Sequence, residues 1–224
     1  MLTTTDNFSN QNHGMDNSHK ATIEFGIFPG RFLRVILLET KISTTKVNED
    51  DGIVKDPRFA IIQAKWIVSL NQLVSAAIAA LIREHHFLAA KEETSNVDVS
   101  GGSKTPRGIG LDTVVCLGGS LNETSVLNNF LLSSCNNDEP QTCLVLGFDC
   151  TEKEMEHYIK VSSGGDDDTP KPLSLSKLYQ PKDEIVLREI IKAYKISPTE
   201  WNNTQNYQFL EQAIINRIAT KHIV

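Results

Sequence analysis

The sequence has no excess of positive charge: 22 lysines and arginines stand against 28 aspartates and glutamates, a net charge of −6. This balance excludes a protein coated in base for gripping long duplexes, although a local basic patch remains open. Residues 1–20 are polar and lack the apolar stretch of a signal peptide. No uninterrupted apolar run reaches the roughly 18 residues that a membrane-spanning helix needs, so we expect no membrane partner.

Cysteine is also scarce. The chain has four cysteines (Cys116, Cys135, Cys143 and Cys150), and none of them form a C-x-x-C pair. Two lie in apolar, strand-like runs, so we expect reduced, buried thiols. Together with the missing signal peptide, this predicts a location in the cytoplasm and nucleus.

The standard motifs of catalysis and metal binding are missing or incomplete. Residues 101–105 approach the end of a phosphate-binding loop, but Ser103 stands where that motif needs a glycine directly before the lysine. His85 and His86 are adjacent, so on a helix they point about 100° apart and are badly placed to share a metal. The aspartates at 166–168 lie in a Gly/Pro-rich stretch and are typical of a solvated charge run. We expect no enzyme, no cofactor and no metal; an enzyme of unrecognised type stays open as an alternative.

Apolar runs predict the strands. Residues 21–28 and 32–40 form two candidates joined by the turn dipeptide Pro29-Gly30. Residues 109–117 and 143–148 are further candidates. Residues 59–67 fit either a strand or a helical turn.

Periodicity predicts the helices. Residues 69–87 carry the strongest signal, because their apolar residues recur at i, i+3 and i+4. We expect these to form the buried stripe: Leu70, Leu73, Val74, Ala77, Ile78, Leu81 and Ile82. Residues 122–132 and two C-terminal segments are also predicted to be helical. Leu187, Ile190, Ile191 and Tyr194 mark the first of these, which Pro198 should stop, and Tyr207, Leu210, Ile214 and Ile218 mark the last.

These elements predict an α/β or α+β fold: one compact domain with a small mixed sheet packed against several helices. The domain is expected to span residues 21–224, after a disordered tail at 1–20. Two stretches of linker composition, 90–103 and 162–172, are expected to be flexible insertions.

Four stretches of the sequence form a distinctive series. They are Ile27-Phe28-Pro29 with 34–38; 67–69 with Gln72-Leu73, Ala76-Ala77 and Ala80-Leu81; Lys104-Thr105 and Arg107 with Asp112 and 117–122; and 191–197 with 213–224. In this order they resemble the PRPK-binding protein family, the small kinase-binding subunit of the EKC/KEOPS complex. The resemblance covers roughly residues 23–224 apart from the two insertions, and it departs from the family where Asp112 replaces an expected Glu and where 41–56 is short and acidic.

The resemblance implies a non-catalytic subunit that docks on a PRPK-like atypical kinase or ATPase. It also implies support for threonylcarbamoyladenosine modification of tRNA, and relatives hold the single-stranded CCA end of the tRNA. A free-standing RNA-binding protein is the other alternative that we keep open.

Two groups of residues are the candidate sites. Ile215, Lys221, Ile223 and Val224 would provide the kinase-binding surface, because an apolar tail follows a basic helix end. The alternative is that the tail folds back on the domain. Lys104, Arg107 and Arg83 would provide cations for the phosphates of an RNA end, the alternative being solvated loop charges.

Overall fold

The computed structural model describes residues 18–40, 56–93, 108–118, 123–131, 140–163, 170–180, 182–202 and 207–221. Most of the predicted tail, the acidic stretch after residue 40, and residues 94–103 and 164–169 of the predicted insertions lie outside these ranges. The ends of those segments belong to regular structure: Lys20 starts a strand, a helix continues to Glu93, and Lys171 and Pro172 pair with the sheet.

The sheet contains β1 (Lys20–Glu24), β2 (Phe32–Thr40), β3 (Phe59–Gln63), β4 (Gln141–Phe148) and β5 (Lys171–Pro172). The strand order is β1-β2-β4-β3, and β5 pairs with β2 beside β1. Every pairing among these strands is antiparallel, so the sheet is not mixed as predicted, although the α+β class is confirmed. The segment 59–67 resolves as strand β3 followed by a short 3-10 helix, Ala64–Trp66.

Of the two central strands, β4 is buried on both faces, whereas β2 is mostly buried on one face and partly buried on the other. Side chains alternate between faces along a strand, and in β4 Leu144, Leu146 and Phe148 belong to the larger hydrophobic core while Cys143 and Val145 belong to a smaller one. Burial of the second face, complete in β4 and partial in β2, explains why both strands are nearly continuous apolar runs in the sequence.

Helices cover both faces of the sheet. Their bounds are α1 (Leu70–Glu93), α2 (Ile109–Leu117), α3 (Glu123–Phe130), α4 (Glu152–Ser162), α5 (Glu184–Ala193), α6 (Pro198–Asn202) and α7 (Tyr207–Thr220), with a second 3-10 helix at Leu175–Tyr179. Met155 and Tyr158 of α4 pack in the smaller core, whereas α1, α2, α5 and α7 contribute to the larger one.

The buried face of α1 is rotated from the predicted stripe. Ile82 is 43% exposed, and Val74 and Ile78 are only partly buried. Small residues allow close approach to α2 and α7, which α1 contacts. The face that is fully covered consists of Gln72, Leu73, Ala76, Ala77, Ala80 and Leu81.

The segment 109–117 is a helix, so its prediction as a strand was wrong. Nearly every residue of α2 is buried, and a helix that is buried all round gives the same continuous apolar run as a buried strand. The backbone also approaches β3 closely. A side chain at Gly110 would lie 2.5 Å from the Phe59 carbonyl oxygen, so only glycine fits this contact.

Pro198 does not stop the preceding helix as predicted. The helix α5 already ends at Ala193, and the chain turns through Lys195 with a positive φ of 54°. Pro198 instead begins α6, where its missing N–H and fixed φ are compatible with a first helical position.

The segment Leu70–Ala90 of α1 is long and apolar enough, by length and composition alone, to cross a membrane. The count of uninterrupted apolar residues did not detect it, because polar residues interrupt the helix. Core helices of water-soluble proteins pass the same test, and one face of α1 is buried against the domain.

Candidate functional site

The helix α7 holds the one predicted kinase-binding residue that lies within a described helix, Ile215. Its inward side is Leu210, Ile214 and Ile218, which are all buried, as predicted. Both of its charged residues make contacts within the chain. Glu211 accepts a hydrogen bond from the Asn71 side chain at 3.0 Å, and Arg217 forms an ion pair with Glu200 at 2.8 Å.

Arg217 is held by more than this ion pair. Its two terminal nitrogens contact both oxygens of Glu200 and also donate to the backbone carbonyls of Ala213 and Lys195 at 3.2 Å. The Arg217 guanidinium lowers the pKa of Glu200 below its usual value. The charge of Arg217 therefore serves to join α7 to α6.

The outward side of α7 carries no charged residue. Phe209 is the largest side chain there and is 58% exposed, while Ile215 lies at the edge of this side and is half-buried. We call this side the α7 face and define it as Gln208, Phe209, Gln212, Ile215, Asn216, Ala219 and Thr220.

Lys221, predicted to bind the kinase, makes a contact within the domain. Its ammonium donates to the backbone carbonyl of Val115 in α2 at 2.6 Å. Burial is the main cause that lowers the pKa of Lys221. The residue therefore anchors the end of α7 on α2. Ile223 and Val224 lie outside the described residues.

Arg83, predicted to bind RNA, is surrounded by carboxylates. Its guanidinium lies 3.3 Å from Glu123 in α3 and 4.0 Å from the buried Asp112 in α2. Two negative charges thus offset its single positive charge, and the residue ties three helices together. Lys104 and Arg107 lie outside the described residues.

His85 and His86 both lie exposed near the end of α1. Their ring centroids are 6.4 Å apart, and the two ring planes make an angle of 87°. Within the part of the chain that the structure describes, no group of three histidine, cysteine or acidic side chains is placed to hold a metal ion.

Three of the four cysteines are described, and each is a buried free thiol as predicted: Cys116, Cys143 and Cys150. Burial raises the pKa of Cys116 and of Cys143 to about 12. Such thiols are almost fully protonated near neutral pH and are poor nucleophiles.

Sequence reasoning missed Phe209, the most exposed aromatic of α7. The signal was available, because a helical projection of residues 207–220 places all the charged residues away from positions 209, 212 and 216. It also missed α4, although Thr151 and Glu154 form the S/T-x-x-E signature of a helix start, and both reciprocal hydrogen bonds of that capping box are present.

The sequence model of the family described as kinase binding protein CGI-121 matches residues 38–222 of this chain. A comparison with curated proteins finds no match. The family match spans well over half of the chain and includes the α1 stripe, α2 and the C-terminal helices that suggested the family from the sequence. This chain belongs to the CGI-121 family of kinase binding proteins.

Proposed function

We propose that this chain docks on the PRPK-like atypical kinase of the EKC/KEOPS complex and thereby supports threonylcarbamoyladenosine modification of tRNA. Membership of a kinase-binding family supports a kinase as the partner. The resemblance of four stretches to the kinase-binding subunit of that complex supports the particular kinase. The observation that carries the docking surface is the uncharged α7 face.

The composition of the α7 face suits an interface. Centres of protein interfaces are depleted in charge and enriched in aromatic residues. Phe209 is 58% exposed in the monomer, so a partner could still remove most of its surface from water. Glutamine and asparagine side chains around it can pair with polar groups of the partner without the desolvation cost of a charge.

The docking test replaces Phe209 with Ala and measures affinity for the purified kinase partner by calorimetry. Aromatic anchors at interface centres typically contribute 2 kcal/mol or more, so we expect affinity to fall by about tenfold or more. The matched control is Ile27→Ala, which removes another large exposed side chain, 67% exposed, from the β1–β2 turn. Equal affinity of the Phe209 variant and the wild type would refute docking through this face.

Deleting the C-terminal tail is a less specific test. Removal of residues 220–224 also removes Lys221 and its hydrogen bond to Val115, so a loss of binding would combine a lost interface with a loosened α7. The variant Lys221→Met separates the two effects. It should lower the melting temperature and leave kinase affinity of the folded protein within about twofold if Lys221 is purely structural.

We further propose that the subunit holds the 3′ CCA end of tRNA. The support for this proposal is the resemblance, which includes Lys104 and Arg107. Arg83 adds less support, because Asp112 and Glu123 offset its charge. Changing both Lys104 and Arg107 to Glu should weaken binding of intact tRNA and reduce the slope of log affinity against log salt by about 0.7 for each lost phosphate contact.

Transfer RNA that lacks its CCA end provides the control. Equal affinity of the wild type for the two tRNAs would remove the CCA end from the proposal and leave kinase docking untouched. A free-standing RNA-binding protein would instead bind RNA fully while showing no affinity for the kinase. Substrate turnover by the isolated chain, above that of a variant control, would favour an enzyme.

A further inference from the structure

A cleft of about 600 Å³ opens where the two 3-10 helices meet the beginnings of β4 and α5. Its charged lining is mostly basic. Lys65 comes from the first 3-10 helix, Lys177 from the second, and Lys182 from the residue pair that precedes α5. Among the residues that the structure describes, Asp183 is the one carboxylate that lines it. Three cations around one cleft stand out in a chain with a net charge of −6.

The described carboxylates near this cleft neutralise only part of its charge. Asp183 caps α5, where its side chain accepts a hydrogen bond from the Val186 backbone N–H at 2.9 Å. Glu189 lies 3.5 Å from the Lys65 ammonium, a long ion pair between two half-exposed side chains. Among the described residues, Lys177 and Lys182 have no carboxylate oxygen within 4.0 Å.

The backbone of Lys182, one of the lining residues, is held by Tyr207. The Tyr207 hydroxyl accepts a hydrogen bond from the Lys182 backbone N–H and lies 3.4 Å from its carbonyl oxygen. Burial lowers the pKa of the Lys182 ammonium. A partly buried cation without an anionic partner carries a desolvation cost that an incoming anion would relieve.

The lining also favours one class of anion. The described residues that line the cleft include three lysines, and lysine binds phosphate as a compact point charge. Three such charges suit a phosphate monoester, which carries about −1.5 to −2 charge at pH 7, better than a single carboxylate. Gln63, Gln141, Gln180 and Thr142 add uncharged donors and acceptors beside the lysines. The volume lies within the range of about 300–1,000 Å³ that is typical of small-molecule sites.

We propose that this lysine cleft binds a small phosphorylated ligand of about the size of a mononucleotide, with Lys65, Lys177 and Lys182 around the phosphate. The uncharged side chains contact the remainder of the ligand. This site goes beyond the proposed kinase docking, because none of its lining residues belongs to the α7 face.

The experiment titrates the full-length chain with adenosine monophosphate and follows the backbone amide resonances of Lys65, Thr142 and Lys177. Adenosine and inorganic phosphate are titrated separately. We expect saturable shifts with the nucleotide, weaker binding of inorganic phosphate, and no shifts at these residues with adenosine. In the variant Lys177→Gln with Lys182→Gln, affinity should fall about tenfold or more, because hydrogen bonds to charged groups are lost.

The matched control is Lys153→Gln with Lys192→Gln, which makes the same change in net charge at exposed lysines of α4 and α5. An equal loss in the control would reduce the effect to net charge and overturn the proposal. Equal binding of adenosine would also overturn the proposal. Shifts produced only by a single-stranded oligonucleotide, or only by a glutamate-rich peptide, would do the same. Kinase affinity measured on the same variants should not change, so failure of this site is distinct from failure of the docking proposal.

Discussion

The replacement of Gln72 with Leu gives a sharp test of how the larger core is assembled. Gln72 and Tyr194 are both fully buried, although each carries polar groups. The Gln72 side chain accepts a hydrogen bond from the Val68 backbone N–H at 2.9 Å and donates to the Trp66 carbonyl at 3.2 Å. It also donates to the Tyr194 hydroxyl, which lies 3.4 Å from the same carbonyl.

The cost of Gln72→Leu follows from the groups that it leaves behind. The Val68 N–H loses its partner, which costs about 1–3 kcal/mol when the group is buried. The Trp66 carbonyl and the Tyr194 hydroxyl keep each other but lose one hydrogen bond each, at about 0.5–1.5 kcal/mol apiece. The free energy of unfolding should therefore fall by roughly 2–6 kcal/mol, out of a total that is typically about 5–15.

Urea unfolding of the wild type, Gln72→Leu, Tyr194→Phe and the double variant forms the assay. Tyr194→Phe alone should cost about 1 kcal/mol, since it removes the hydroxyl and leaves most of the Gln72 bonds intact. The double variant should cost less than the sum, because both changes disrupt one network. A Gln72→Leu protein within about 0.5 kcal/mol of wild type, or strictly additive effects, would refute the network.

Three further predictions concern packing, pH and thiol reactivity. Ala77→Asp places a carboxylate at a fully buried position and should unfold the domain. Ile78→Asp changes a partly buried position and should lower the free energy of unfolding measurably less. The reverse order in urea unfolding would contradict the observed rotation of α1. The Thr151 backbone N–H and hydroxyl, and then Arg58, lower the pKa of Glu154 from 4.5 to about 2. The stability from this lowered pKa is present above pH 4.5 and is lost as the pH falls towards about 2. The variant Glu154→Gln should therefore show a smaller decline in melting temperature across that pH window. An unchanged decline would argue against this role of Glu154. With pKa values raised to about 12, Cys116 and Cys143 should resist iodoacetamide at pH 8 until the protein is denatured, and modification of native protein detected by mass spectrometry would show that they are accessible.

The local sequence pattern predicted helices that bury one face and strands that are nearly continuous in apolar residues. The limits of β2 match the prediction, and the buried residues of α7 fall at the expected spacing. The pattern failed for α2, because an all-round buried helix and a buried strand share one signature. In α1 it identified the helix but not the face, since alanine carries little hydrophobic weight in a periodicity count while close helix packing favours small side chains.

The candidate site was less predictable, because its contacts join residues far apart in the chain. Lys221 looked like an exposed basic helix end, yet its partner Val115 is 106 residues away. Arg83 looked like a free cation for the same reason, since Asp112 and Glu123 approach it only after α2 and α3 pack beside α1. The lysine cleft likewise brings together residues that the sequence separates by more than 100 positions.

A comparison with α5 shows why an uncharged outward face on α7 is unusual. Four outward positions of α5 carry charge (Glu184, Arg188, Glu189 and Lys192), as is normal for a solvated helix. On α7 both charged residues bind within the domain instead. Surface charge has little effect on monomer stability, so folding alone gives no reason for its absence from seven outward positions. Exclusion of charge from a surface that a partner covers does give one, in agreement with the proposal that the kinase partner covers the α7 face.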